Sequence, residues 1–187
     1  MYTWLSAGAI APSAKRGDGT GTFTNARDMS MDWPYLHALV NHFPIVLSVV
    51  ATTVLLIALI TNRRTIWVYA TVTLTFAGLA AYPAFLTGDQ AAHALRGVWY
   101  IDRAVVREHD QAAGFALTSL LITGVASAYV WWRLMRRDVQ ILPPRWLRIV
   151  TTLIALWSLG VVVRTSYLGG KIVHENPKLD QPNNSRT

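Results

Sequence analysis

The sequence holds five histidines, His37, His42, His93, His109 and His174, and no cysteine. Imidazole is the commonest biological metal ligand and a frequent axial ligand of haem iron. Without cysteine the chain has no disulfides, thiolate metal sites, iron–sulfur clusters, covalent c-type haem or cysteine nucleophile. What stays open is a b-type haem held by two neutral histidines on facing helices. His37 and His42 stand five residues apart, so on an ideal helix they point about 140° apart and cannot clamp one ion from one face. Pro44, just beyond them, removes an N–H and can bend the helix start. The two ligands must therefore come from different helices. We expect His42 and His109 as the iron ligands, with His174 or His37 as the alternative and His93 the least suited. Arg164, Arg107 and Lys171 are the cations placed to meet haem propionates. Glu108, Asp110 and Glu175 flank two of the histidines and either orient the imidazoles or sit in solvent. A zinc or copper ion in the same cluster is a smaller alternative. Each histidine also has a plainer role, bonding headgroups, water or a backbone carbonyl at a membrane surface.

These residues need elements to place them, and composition says which. Of 187 residues, 52% are hydrophobic and only 14% charged, against about a quarter charged in soluble proteins. Mean hydropathy is +0.31. A net charge of +7 and a pI near 10.1 would suit nucleic acid. The basic residues, however, sit in short clusters between long apolar runs, which excludes that partner. About 20 apolar residues cross a bilayer as a helix. Four such spans are present, at about 35–60, 66–88, 110–132 and 146–168. Backbone groups in lipid must be bonded internally, and the runs do not alternate as barrel strands would. The chain is therefore expected to be all-α, an integral membrane antiparallel four-helix bundle over residues 35–175. Residues 1–34 and 176–187 are polar tails, and residues 1–30 lack the basic start of a secretion signal. No repeat of 20–50 residues is visible. Arg164 falls inside the fourth span, where it either serves a site or snorkels outward.

The first inter-helix loop carries Arg63 and Arg64. The third carries Arg133, Arg136, Arg137, Arg145 and Arg148, with Asp138 as its one acid. Basic density in short loops marks the cytoplasmic side, so both termini and all five histidines face outward, although Lys15-Arg16 pulls the other way. In a Gram-negative bacterium this means the inner membrane, with both termini in the periplasm. Between helices 2 and 3, residues 90–109 mix apolar and charged positions, as a short amphipathic helix on the outer surface would. Trp157, mid-span, is expected to pack within the bundle. Gly78, Ala80, Ala81 and Ala84 in helix 2, and Ala112, Ala113, Gly114, Ala116, Gly124, Ala126 and Ala128 in helix 3, predict a close crossing of those helices. Thr71, Thr73 and Thr75 are expected to bond their own helix's carbonyls.

Four short motifs mark the outer ends of the helices. Leu36-His37-Ala38-Leu39-Val40-Asn41-His42-Phe43-Pro44 opens helix 1, and Thr87-Gly88-Asp89-Gln90-Ala91-Ala92 ends helix 2. Glu108-His109-Asp110-Gln111-Ala112-Ala113 opens helix 3, and Gly169-Gly170-Lys171-Ile172-Val173-His174 ends helix 4. Over residues 35–175 the chain resembles a widespread bacterial family of four-helix membrane proteins known only as a domain of unknown function. The N-terminal tail has no counterpart in that pattern. Members of the family are sometimes joined to, or encoded near, cytochrome c domains and quinoprotein dehydrogenases, so the resemblance implies a redox setting.

Two readings of function follow. The first is a membrane electron-transfer subunit holding haem b near the outer face, exchanging electrons with a quinone or a periplasmic cytochrome. The second is a cofactor-free accessory subunit of a larger respiratory or photosynthetic complex, docked by its helices and tails. The spans hold no mid-membrane carboxylate and no inverted repeat, which argues against a transporter. Ser166 and His174 lack a carboxylate to complete a hydrolytic triad.

Overall fold

The computed structural model describes residues 32–98, 101–136 and 142–174, with the backbone alone for Gly97, Val173 and His174. Four long helices account for almost all of it: α1 (Trp33–Thr61), α2 (Arg64–Ala94), α3 (Arg103–Arg136) and α4 (Arg145–His174). Among the described residues there is no strand. Each helix is long and apolar enough to cross a membrane. The fold is the all-α four-helix arrangement of a multi-pass membrane protein. Residues 1–31 and 175–187, with Trp99, Tyr100 and residues 137–141, lie outside the described residues.

Local chemistry sets the helix ends. Asp32 caps α1, its Oδ1 accepting the Tyr35 N–H at 3.3 Å, and Pro34 stands in the first turn, where a missing N–H costs nothing. Asn62 ends α1 in the left-handed region (φ 53°), and its N–H returns to the Ala58 carbonyl at 2.9 Å. Asn tolerates this conformation better than most residues. α2 starts two residues later. Asp102 accepts the Ala104 N–H at 2.8 Å at the start of α3. Pro143-Pro144 precede α4, and Leu147 N–H closes on the Pro144 carbonyl at 3.0 Å.

Helices 2 and 3 run further than the apolar spans. α2 continues past residue 88 to Ala94, and α3 already begins at Arg103. The short helix expected between them is a single 3-10 turn, Leu95–Gly97. Residues 90–94 and 103–109 of that segment extend the two long helices.

The helices pack in sequence order, and α1 meets α4 along a thinner seam. Two apolar layers fill the interior. One, toward the arginine-bearing end, gathers Leu55, Trp67, Leu74, Val130, Leu134 and Ala155. The other, toward the histidine-bearing end, gathers Ala81, Ala116, Leu120 and Val162, with Ile45 against it. Between and beside them the buried positions are small or hydroxylated: Ser48, Thr52, Thr71, Thr123, Ser127, Thr151, Thr152 and Ser158. Thr71, Thr73 and Thr75 donate to the carbonyls of Trp67, Tyr69 and Thr71, as expected. Large apolar side chains point outward instead, Phe76, Leu79, Phe115, Val125 and Leu153 among them. That inside-out arrangement fits lipid as solvent, since apolar side chains gain nothing by leaving lipid for a bundle interior. Trp157 follows the same rule: it lies on the outer face of α4 and is 70% exposed, contrary to its expected place inside. Ala155, Ser158 and Val162 hold the inner face there, and a residue between them must point away.

At the arginine end, side chains stitch the helices together. Arg64 of α2 donates to the Leu134 carbonyl of α3, and Arg148 of α4 donates to Asn62 Oδ1 at the end of α1. Arg136 stacks on Trp132 at 5.0 Å, and Arg133 lies over Tyr129 at 5.9 Å.

Candidate functional site

The opposite end is built around His37 and His109. His37 stands near the start of α1, on the face that continues through Asn41, Pro44 and Ser48 into the bundle. Its Nδ1 donates to the Ala84 carbonyl of α2 at 3.1 Å, with Thr87 Oγ1 at 3.3 Å as a second acceptor. Its ring lies on the bare Cα of Gly88, where an added Cβ would sit 2.9 Å from the ring's Cε1. Only glycine allows this approach.

His109 repeats the arrangement between α3 and α4. Its Nδ1 donates to the Thr165 carbonyl at 3.1 Å, and its ring lies on Gly169, where a Cβ would sit 3.1 Å from Cε1. Thr165 also donates its hydroxyl to the Ala112 carbonyl at 3.1 Å, fixing α4 against α3 at this level. Both imidazoles are part-buried. The layer of Ala81, Ala116, Leu120 and Val162 forms the floor beneath them.

A carbonyl oxygen only accepts, so each Nδ1 carries the hydrogen. In the neutral ring this tautomer keeps the lone pair on Nε2. Metal-binding histidines are oriented this way, with the non-ligating N–H tied to a carbonyl or carboxylate. Asn41, one turn along α1 from His37, adds a buried Oδ1 with no hydrogen-bond partner. Among the described residues, no three His, Cys, Asp or Glu side chains gather as a metal site. A protein-held zinc site uses three or four protein ligands. Two histidines suffice for haem, whose porphyrin supplies the other four nitrogens. The residues present therefore fit haem iron better than a bare ion.

The fold turns His37, rather than His42, into the bundle, at the same end as His109. His42 is exposed and donates Nδ1 to the Ala38 carbonyl of its own helix. The rotation of about 140° between positions 37 and 42 decides this once Pro44, Ser48, Ala51 and Leu55 face inward. Arg164 and Arg107 are both exposed. Lys171 Nζ lies 5.2 Å over the Tyr167 ring. His93 is an exposed partner of Asp89 at 3.8 Å and of Arg96 at 3.1 Å. The His174 side chain is outside the described residues. The residues missed by sequence reasoning are Gly88, Gly169 and Asn41. The two glycines stood inside the quoted motifs, and their pairing with particular histidines was the missing step. Comparison of the chain with protein families, with curated proteins and with solved structures finds no match.

Proposed function

We propose that this chain is a membrane subunit of an electron-transfer system and holds a b-type haem between His37 and His109. The observation that carries the reading is the pair of imidazoles on α1 and α3 at one end of the bundle, each with Nδ1–H tied to a carbonyl 3.1 Å away and Nε2 left as the acceptor. Bound there, the haem would supply one-electron chemistry. The protein's part is to hold both rings by their N–H groups and to give them glycine surfaces to rest on. It also closes the floor with Ala81, Ala116, Leu120 and Val162. Arg107 and Arg164 are exposed cations at this end that would meet its propionates. The arginine-rich loops orient this end outward, to the periplasmic face of a bacterial inner membrane. The motif order shared with the four-helix family named above supports the same redox setting. Partners on this reading are neighbouring subunits, lipid, and a quinone or periplasmic cytochrome.

The test is a reduced-minus-oxidised spectrum with a pyridine haemochrome assay on full-length protein purified gently from its native membrane. About one haem b per chain is expected. His37→Ala or His109→Ala should each abolish the band, and His42→Ala should keep it. Protein that inserts correctly and shows no b-type signal overturns the reading. One observation favours the accessory-subunit alternative. Each histidine already bonds a carbonyl across a helix pair and packs on a glycine, so both can serve as latches without a cofactor. On that reading His109→Ala lowers the unfolding temperature and changes no spectrum.

A further inference from the structure

His37 and His109 are 72 residues apart. Shifting α1 by that interval carries its buried residues Pro44, Ser48, Ala51, Thr52, Leu55 and Ala58 onto Ala116, Leu120, Thr123, Gly124, Ser127 and Val130. All six are buried in α3. In the second helices, Ala84 and Thr165, the two carbonyl acceptors, are 81 residues apart. The same interval separates Gly88 from Gly169 and Ala81 from Val162. It also carries buried Ala70, Thr71, Leu74 and Ala77 onto buried Thr151, Thr152, Ala155 and Ser158. The link between α3 and α4 is six residues longer than that between α1 and α2, and α3 runs three residues past the position equivalent to Thr61; together these make up the difference of nine.

The opposite end closes in the same reciprocal way. Arg64 of α2 reaches Leu134, and Arg148 of α4 reaches Asn62. The two acceptors are again 72 residues apart, while the two donors are 84 apart, three beyond the interval of the second helices. Each second helix thus clasps the end of the other hairpin's first helix, as the subunits of a two-fold dimer do. Both first helices run in one direction, so the axis lies along the bundle, as in parallel-repeat membrane proteins.

We infer that the bundle is a tandem duplication of one two-helix unit, and that His37 and His109 are equivalent halves of a single ligand site on the axis between the copies. The proposed function contributes only the identity of the ligand; the repeat itself stands on the contacts. The copies have diverged in sequence, with Asn41 in α1 where α3 has Ala113. The face pattern, the histidines and the glycines remain.

Two measurements on the full-length chain test this. Haemin is titrated into wild type, His37→Ala, His109→Ala and the double variant, with stoichiometry and the low-spin ferric signal as readouts. A site on the axis gives one haemin per chain, complete loss of the bis-imidazole signal in either single variant, and no further loss in the double. Two haemins per wild-type chain, or half the signal surviving in a single variant, overturns the shared site. In parallel, Gly88→Ala and Gly169→Ala are melted without haemin. Equivalent half-sites predict lowered unfolding temperatures of similar size in both, while a loss in one and no change in the other overturns the repeat. If wild type takes up no haemin, the haem reading fails, and the melting pair still decides whether the halves are equivalent.

Discussion

Gly78 of α2 and Gly124 of α3 bring two helix backbones into direct contact. A Cβ on Gly78 would lie 2.8 Å from the Leu120 carbonyl oxygen and 3.0 Å from the Gly124 Cα. Neither atom belongs to a side chain that can turn aside, so Gly78→Ala must push the helices apart. Its expected cost is about 1–3 kcal/mol, the range for overpacked interiors, read as a lower unfolding temperature in detergent. Gly160, with open space around its Cβ direction, is the control. Gly160→Ala should be neutral, or stabilising by about 0.5–1 kcal/mol through helix propensity.

Thr123 and Ser158 join α3 to α4 inside the bundle. Their hydroxyls meet at 2.6 Å, and both approach the Ser119 carbonyl, at 2.8 and 3.0 Å. Interhelical hydrogen bonds in membrane proteins average about 0.6 kcal/mol and reach about 1.7. A double-mutant cycle of Thr123→Ala and Ser158→Ala should give a coupling energy in that range. A coupling indistinguishable from zero would show that the contact adds nothing beyond packing.

The arginine clasps should matter less than the glycine contacts. Arg64→Gln and Arg148→Gln each remove a charged hydrogen bond near the bundle surface, worth at most about 1–2 kcal/mol at a part-buried site. Since α1 and α4 share the thinner seam, Arg148→Gln should loosen that pair. Faster hydrogen exchange at the Asn62 end of α1, with α2 and α3 unchanged, is the expected signature.

The outward orientation is directly testable, because the chain has no cysteine to remove. Ala94→Cys and Arg63→Cys place single thiols at exposed positions on opposite ends of the bundle. In intact cells with a permeabilised outer membrane, an impermeant maleimide should label position 94 and leave position 63 unlabelled until the inner membrane is opened. The reverse pattern would put the histidines in the cytoplasm.

The four helices could be read from residue types because long apolar runs between arginines admit few other solutions. Which face of each helix turns inward could not. α1 is apolar nearly all round, so periodicity does not separate its lipid face from its core face. The inward face is marked by small and hydroxylated residues such as Ser48, Ala51 and Thr52, the reverse of a soluble helix. The same inversion misdirects expectation for Trp157, whose size suggests a core position. It also hides the choice between His37 and His42, which turns on helix rotation alone. The crossing at Gly78 and Gly124 was readable because close backbone approach demands the smallest residues. The glycine under each histidine obeys that rule too, but its partner comes from another helix and appears only once the helices are paired. The repeat we infer leaves little trace in residue identity beyond the histidines and glycines, since lipid and core positions conserve size and face instead.

The left-handed Asn62 joins α1 to α2 with a link of only two residues, while α3 and α4 are joined by a longer one. That difference bears on biogenesis. The first hairpin has almost no slack, so α1 and α2 must leave the translocon already antiparallel and enter the bilayer as one unit. The link of the second hairpin, eight residues by sequence, is long enough for α3 to insert before α4. Lengthening the first turn with glycine and serine would uncouple those two insertions while leaving the helix–helix contacts away from Asn62 in place.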